Sequence, residues 1–163
     1  PDPVERMRSQ ISCEVTVPAN GVAVYDLRLT GRPFTVPGPE GWNPETGVLE
    51  VSGGHLELAS TANDPRVGST YVIDPLHMDI DPQTGIGRMW GTGRHATDDG
   101  AFEGAIWGLH YPVTEEVSGY TGSGWLTGSG AYEGLMYFYR GSFDGEEAFF
   151  EGIIYEGEAP PLE

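Results

Sequence analysis

Lysine is absent from these 163 residues; the eight basic side chains are all arginine, at positions 6, 8, 28, 32, 66, 88, 94 and 140. That absence removes Schiff-base chemistry, a pyridoxal phosphate anchor and the phosphate-binding lysine of nucleotide loops. Cysteine is nearly absent too. Cys13 alone excludes a disulfide within the sequence, and no histidine stands near it to support a catalytic thiol. No apolar run approaches the length of a membrane span, and no secretory signal is visible. The chain therefore reads as soluble, either cytoplasmic or secreted after removal of a leader. Positive charge is scarce: 25 acidic residues against eight arginines give a formal charge of −17. Such a surface repels nucleic acid and anionic membranes, and serves solubility or a salty habitat. No nucleophile elbow of the G-x-S-x-G type occurs. Gly91-Thr92-Gly93-Arg94-His95-Ala96 fits G-x-G-x-x-A, but Asp98-Asp99-Gly100 after it is a turn where a dinucleotide site needs a helix.

What the chain has in plenty is glycine (25), proline (13) and aromatic side chains, without low complexity. That composition favours many short strands joined by tight turns. One six-residue block, aromatic-Glu-Gly-aliphatic-aliphatic-aromatic, occurs three times: Phe102–Trp107, Tyr132–Tyr137 and Phe150–Tyr155. Its residues are strand formers, so the copies predict three equivalent strands of one sheet. Asn43-Pro44-Glu45-Thr46-Gly47 is echoed by Asp81-Pro82-Gln83-Thr84-Gly85, each an Asx-Pro turn closed by glycine. Further strands are expected at Val22–Leu29, Val48–Val51, His55–Ala59, Ser69–Ile80 (interrupted by Pro75), Ile86–Gly91 and Val117–Leu126. Turns are expected at 52–54, 127–130 and 144–145, and residues 31–44 read as a loop. No segment sustains helical periodicity. The expectation is a single all-β domain, residues 1–163, with a polar arm over 1–12. About eight antiparallel strands would close into a barrel, because closure removes both edges.

Alternation places apolar residues on both faces of the repeated strands. A monomeric barrel needs only one, so the second points to a homo-oligomer or a covering loop. Glu103, Glu133 and Glu151 hold one position in each block. They could form a carboxylate ring with acid or base chemistry, but a residue that repeats with the structure is better assigned to the structure. His77, Asp79 and Asp81 alternate along one strand face, a pattern shared by metal ligands and by a polar outer face; no metal is assigned. The aromatic residues exceed what a small core requires. They suit an apolar small-molecule pocket, and equally a packed core or a subunit interface.

Leu126-Thr127-Gly128-Ser129-Gly130-Ala131-Tyr132-Glu133-Gly134 resembles the glycine-rich hairpin of allene oxide cyclases, one residue shorter in the turn. Asp99-Gly100-Ala101-Phe102-Glu103-Gly104-Ala105 is a looser copy, and dirigent proteins share a related hairpin. The resemblance covers about ten residues closely. It implies an eight-stranded barrel, often trimeric, with an elongated apolar lumen and no cofactor. Such a barrel steers cyclisation or coupling of a reactive molecule by holding one conformation. In the cyclases a first-strand stretch supplies a catalytic Glu and a water-holding Asn. Val24-Tyr25-Asp26-Leu27-Arg28 looks similar, with Asp26 in place of the Glu and Arg28 in place of the Asn. Tyr120 stands where the cyclases carry a Tyr after Gly-Pro, here without the proline. These departures argue against allene oxide itself as substrate.

The resulting expectation is a cofactor-independent cyclase or isomerase acting on a hydrophobic small molecule. Asp26 would be the acid/base group, with Arg28 and Tyr120 beside it. Tyr25, Trp107, Glu133, Tyr137 and Tyr139 would line the pocket. A non-catalytic lipocalin-like carrier and a packed structural barrel stay open as alternatives.

Overall fold

The computed structural model describes residues 21–30, 40–114, 118–144 and 148–157. Among them nine strands form one antiparallel sheet: β1 (Val22–Thr30), β2 (Glu40–Asn43), β3 (Val48–Thr61), β4 (Thr70–Ile80), β5 (Gly87–Ala96), β6 (Gly100–Pro112), β7 (Ser118–Gly130), β8 (Leu135–Phe143) and β9 (Ala148–Glu156). A single helical turn, Pro65–Val67, lies between β3 and β4. From β2 to β9 every strand pairs with its neighbour in sequence. Only β1 departs. It pairs with β9 over Val22–Leu27, and its far end, Arg28–Thr30, pairs with Thr61–Ala59 of β3. The all-β expectation holds. The expected arm at 1–12 and Cys13 lie outside the described residues.

The two Asx-Pro sequences make the same turn by the same contacts. Asn43 Oδ1 accepts from the amide of Glu45 at 2.9 Å, and Asp81 Oδ1 from that of Gln83 at 2.8 Å. Gly47 and Gly85 then bond back to the carbonyls of Asn43 and Asp81, at φ of 71° and 68° that only glycine adopts readily. These turns join β2 to β3 and β4 to β5.

Three local expectations are corrected. Residues 40–43, expected in a loop, form β2, because the Asn43 turn pairs them with Val48–Val51. The expected turn at Ser52–Gly54 is a register shift inside the 14-residue strand β3; Gly53, at φ 70°, takes up the irregularity, and β4 shifts register opposite it around Asp74-Pro75. The third concerns the repeat. Its first and third copies lie within β6 and β9, but the second straddles the β7–β8 turn, because β7 runs on to Gly130 and the turn occupies 131–134. Gly130 and Gly134, both at positive φ, set that turn, so Tyr132-Glu133-Gly134 is not strand. The copies are therefore not three equivalent strands.

One face of the sheet carries the core. Leu56, Leu58, Ile73, Leu76, Met78, Phe102, Leu126 and Ile154 are buried there together with Tyr71, Tyr120, Tyr137 and Tyr139. Val67, on the helical turn, is fully buried against β5 and β6. Room for the rings comes from glycine on facing strands. A Cβ added at Gly124 would lie 2.5 Å from the Tyr139 ring, and one at Gly93 would lie 2.9 Å from the Tyr71 hydroxyl. Packing here is a match of large rings to bare backbone. Gly124→Ala should therefore destabilise the fold by about 1–3 kcal/mol in urea unfolding. Combining it with Tyr139→Leu should recover part of that loss, whereas an additive double mutant would show that the ring and the glycine do not oppose each other.

Candidate functional site

The buried aromatic side chains form one continuous series. Tyr132, tied to Thr97 Oγ1 by its hydroxyl at 2.6 Å, stacks on Phe102 at 5.1 Å between ring centroids. Phe102 meets Tyr137 at 5.6 Å, and Tyr137 meets His95 at 5.7 Å. His95 stacks on Tyr71 at 4.5 Å, and Tyr139 meets both. Tyr139 contacts Phe150 at 5.8 Å, which leads to Tyr120 and then Phe143. The series brings together side chains of β4 to β9.

Its polar groups are unevenly satisfied. The hydroxyls of Tyr71 and Tyr139 share a short hydrogen bond. By contrast, among the described residues no hydrogen bond of normal geometry reaches the Tyr137 hydroxyl, the Ser60 hydroxyl or either ring nitrogen of His95, although the Val67 backbone lies close enough to His95 to favour its protonated form. Buried polar groups are paired in the large majority of proteins, and an unpaired one costs roughly 1–3 kcal/mol. Burial also fixes protonation. It depresses the His95 pKa to about 3, with the Val67 backbone opposing weakly, and raises those of Tyr71, Tyr120, Tyr137 and Tyr139 well above the usual phenol value. At neutral pH the whole set is uncharged.

The structure distributes the sequence-derived candidates over three places. Tyr120, Tyr137 and Tyr139 come together on the buried face. Trp107 stands on the opposite face, where it pairs across β5–β6 with Trp90. Glu133 is exposed in the β7–β8 turn, apart from both. The side chains of Tyr25, Asp26 and Arg28 lie outside the described residues. Their backbone is placed: β1 shifts register against β9 between Val24 and Leu27, where Tyr25 and Asp26 lie, and Arg28 pairs with Thr61. His95, Tyr71 and Ser60 were not among the candidates. The signal for His95 was its parity with Met89 and with Gly87, Gly91 and Gly93, an alternation that marks a buried face.

On the exposed face, arginines sit directly opposite carboxylates: Arg88 with Asp79, Arg94 with Glu103 and Arg140 with Glu151, at 2.5, 3.3 and 2.8 Å. Two of the three repeated glutamates are thus cross-strand ion-pair partners. His77 stacks on Trp90, and Asp81 caps its turn, so His77, Asp79 and Asp81 do not converge; among the described residues no cluster of His, Cys, Asp and Glu could hold a metal. An open groove of about 690 Å³ also lies on this face across β5–β8, lined by Arg88, Trp90, Trp107, Leu109, Thr121, Ser123, Phe138 and Arg140. No described helix is long and apolar enough to cross a membrane. Comparison with family models, curated proteins and solved structures finds no match to this chain.

His95 makes stability depend on pH in a definite direction. Its folded pKa of about 3 lies below the ordinary value of 6.5, so the unfolded chain binds the proton first as pH falls. The contribution of neutral His95 is complete above about pH 6.5 and is lost progressively toward pH 3. Between pH 7 and 5, wild type should lose about 2 kcal/mol more unfolding free energy than His95→Phe. Parallel pH dependence of the two proteins in urea titrations would mean that His95 is accessible to protons in the folded state.

Proposed function

We propose that the β1–β3 pairing closes β1 and β3–β9 into an eight-stranded barrel whose interior holds one hydrophobic small molecule without a cofactor. The observation that carries this reading is the set of buried polar groups that make no hydrogen bond of normal geometry among the described residues: Tyr137, Ser60 and His95, the last with only the Val67 backbone near it. A mostly apolar molecule with one or two hydrogen-bonding groups would pair them while covering the rings, which is the usual composition of a small-molecule site.

The protonation states bear on what such a site would do. Efficient proton transfer needs a pKa near the working pH. His95 lies far below neutrality and the tyrosines far above it. These groups would hold and orient a molecule, and any turnover at their level would come from confinement to one conformation. That is compatible with a cyclase or isomerase of the kind the hairpin resemblance implies, with Asp26, Arg28 and Tyr120 as the groups to test for chemistry. The same pKa values favour the second reading, a carrier that retains its ligand unchanged. Homo-oligomerisation remains part of the proposal.

Native mass spectrometry of gently purified full-length protein, then denatured, should release one small molecule per chain and report the oligomer. Tyr137→Phe should weaken retention of that molecule and raise the stability of the emptied protein by about 1 kcal/mol. No released molecule, together with a loss of stability in Tyr137→Phe, would mean that water or protein already pairs the hydroxyl, and the packed structural barrel would replace this reading. With a ligand identified, Asp26→Asn separates enzyme from carrier: intact turnover removes Asp26 from the chemistry.

A further inference from the structure

The groove on the exposed face differs from the rest of this acidic chain in charge. The chain carries −17, yet among the described residues no Asp or Glu lines the groove, while Arg88 and Arg140 both do. Only four arginines fall among the residues with described side chains, so half of them meet here. Their acidic partners, Asp79 and Glu151, stand on β4 and β9, beyond the groove's strands. Arg88 uses Nε and Nη2 on a single Asp79 oxygen, and its Nη1 makes no hydrogen bond among the described residues. Its guanidinium lies 5.1 Å over the Trp90 ring, and its side chain is 72% exposed. Between the arginines, Trp90 and Trp107 remain 38% exposed each, and Leu109 41%. Trp42, Ile86, Val113 and Phe149 are exposed elsewhere, but in this groove two exposed indole rings stand side by side in a concavity.

We propose that this groove binds an amphipathic anion: a flat apolar body that stacks on Trp90 and Trp107, carrying one carboxylate or sulfonate that meets the guanidinium of Arg88. Charge selects the ligand class. An anion is repelled by much of so acidic a surface, whereas the described lining of this groove bears arginine and no carboxylate. A guanidinium has five N–H donors in a planar fork, so Arg88 can keep Asp79 and still donate to a second oxyanion. The groove's volume, about 690 Å³, is that of a site for one drug-sized molecule. This site is separate from the neutral buried face, and the reading does not depend on the ligand proposed there.

Two fluorescent probes with the same rings test it on the full chain: 1-anilinonaphthalene-8-sulfonate and its neutral counterpart N-phenyl-1-naphthylamine. The sulfonate should bind one per chain, quench tryptophan emission and bind more tightly than the neutral probe. Arg88→Gln, at an exposed position that should not disturb folding, should weaken the sulfonate about fivefold and leave the neutral probe unchanged. Trp107→Ser should weaken both, with near-ultraviolet circular dichroism confirming that each variant is folded. Absence of sulfonate binding, equal affinity for the two probes, or insensitivity to Arg88→Gln would overturn the proposal. Loss of sulfonate binding in Tyr137→Phe but not in Trp107→Ser would overturn it as well, by moving the site to the buried face.

Discussion

The fold depends on placing tyrosine rings against strand backbone that has no side chain. Gly124 lies under Tyr139 and Gly93 under the Tyr71 hydroxyl, and an added methyl group would collide with either ring. A sheet with ordinary alternation would carry a branched aliphatic at each of these positions, and the space would then be filled twice over. Here the volume is moved from one strand to its neighbour. The result is a core in which side chains of six strands reach one another, without the stack of aliphatic layers usual for β-proteins. The same substitution explains the composition: the glycines that look like turn formers in the sequence sit in many cases within β5, β6 and β7.

Much of this architecture is legible in the amino-acid sequence. Strand character, the absence of helix and the two Asx-Pro turns follow from local chemistry, and local chemistry is what a sequence displays. The six-residue repeat shows where such reading stops. Phe102-Glu103-Gly104 and Phe150-Glu151-Gly152 are strand, whereas Tyr132-Glu133-Gly134 is turn. The difference lies in the pairing of β7 with β6, which runs out to Gly130 opposite Gly100 and leaves the next residues to reverse the chain. Register is a property of two strands, so one strand's sequence does not contain it. The Ser52-Gly53-Gly54 bulge has the same origin, since its counterpart, Asp74-Pro75, lies on another strand. Of the candidate residues with described side chains, Tyr120, Tyr137 and Tyr139 lie on the buried face and Trp107 on the other, a split that alternation could not show because the second copy of the repeat is out of register with the first. His95 was missed because isolated histidines carry no spacing motif; only the glycines at its parity mark its face.

Charge is organised by the same cross-strand geometry. Without lysine, every cation on the described sheet is a guanidinium, whose planar fork suits a carboxylate directly opposite. Such exposed pairs contribute about 0–1 kcal/mol each, so their effect on stability is small. Their larger effect is spatial. Anchoring Arg88 on Asp79 and Arg140 on Glu151 holds two positive groups at the groove while their partners stay on the outer strands. In a protein of charge −17 the described lining of this groove is thereby free of carboxylates.

The two faces therefore differ in the kind of ligand they can favour. On the buried face, desolvation acts on everything: His95 cannot hold a proton near neutrality and the tyrosines cannot lose one. An ion beside these rings would meet the same desolvation penalty, and none of the described side chains in the ring series carries an opposite charge to offset it. A neutral molecule with a hydrogen-bonding group would meet a smaller penalty, and would relieve one already present, that of the Tyr137 hydroxyl, which has no partner among the described residues. On the exposed face the solvent remains, so a charged group keeps most of its hydration while its apolar body leaves water for the tryptophans. The chemistry of a ligand, neutral or anionic, would thus be sorted by dielectric environment before any shape recognition acts. Such discrimination would arise from the sheet itself, whose glycines admit the rings on one side and whose arginine pairs frame the groove on the other.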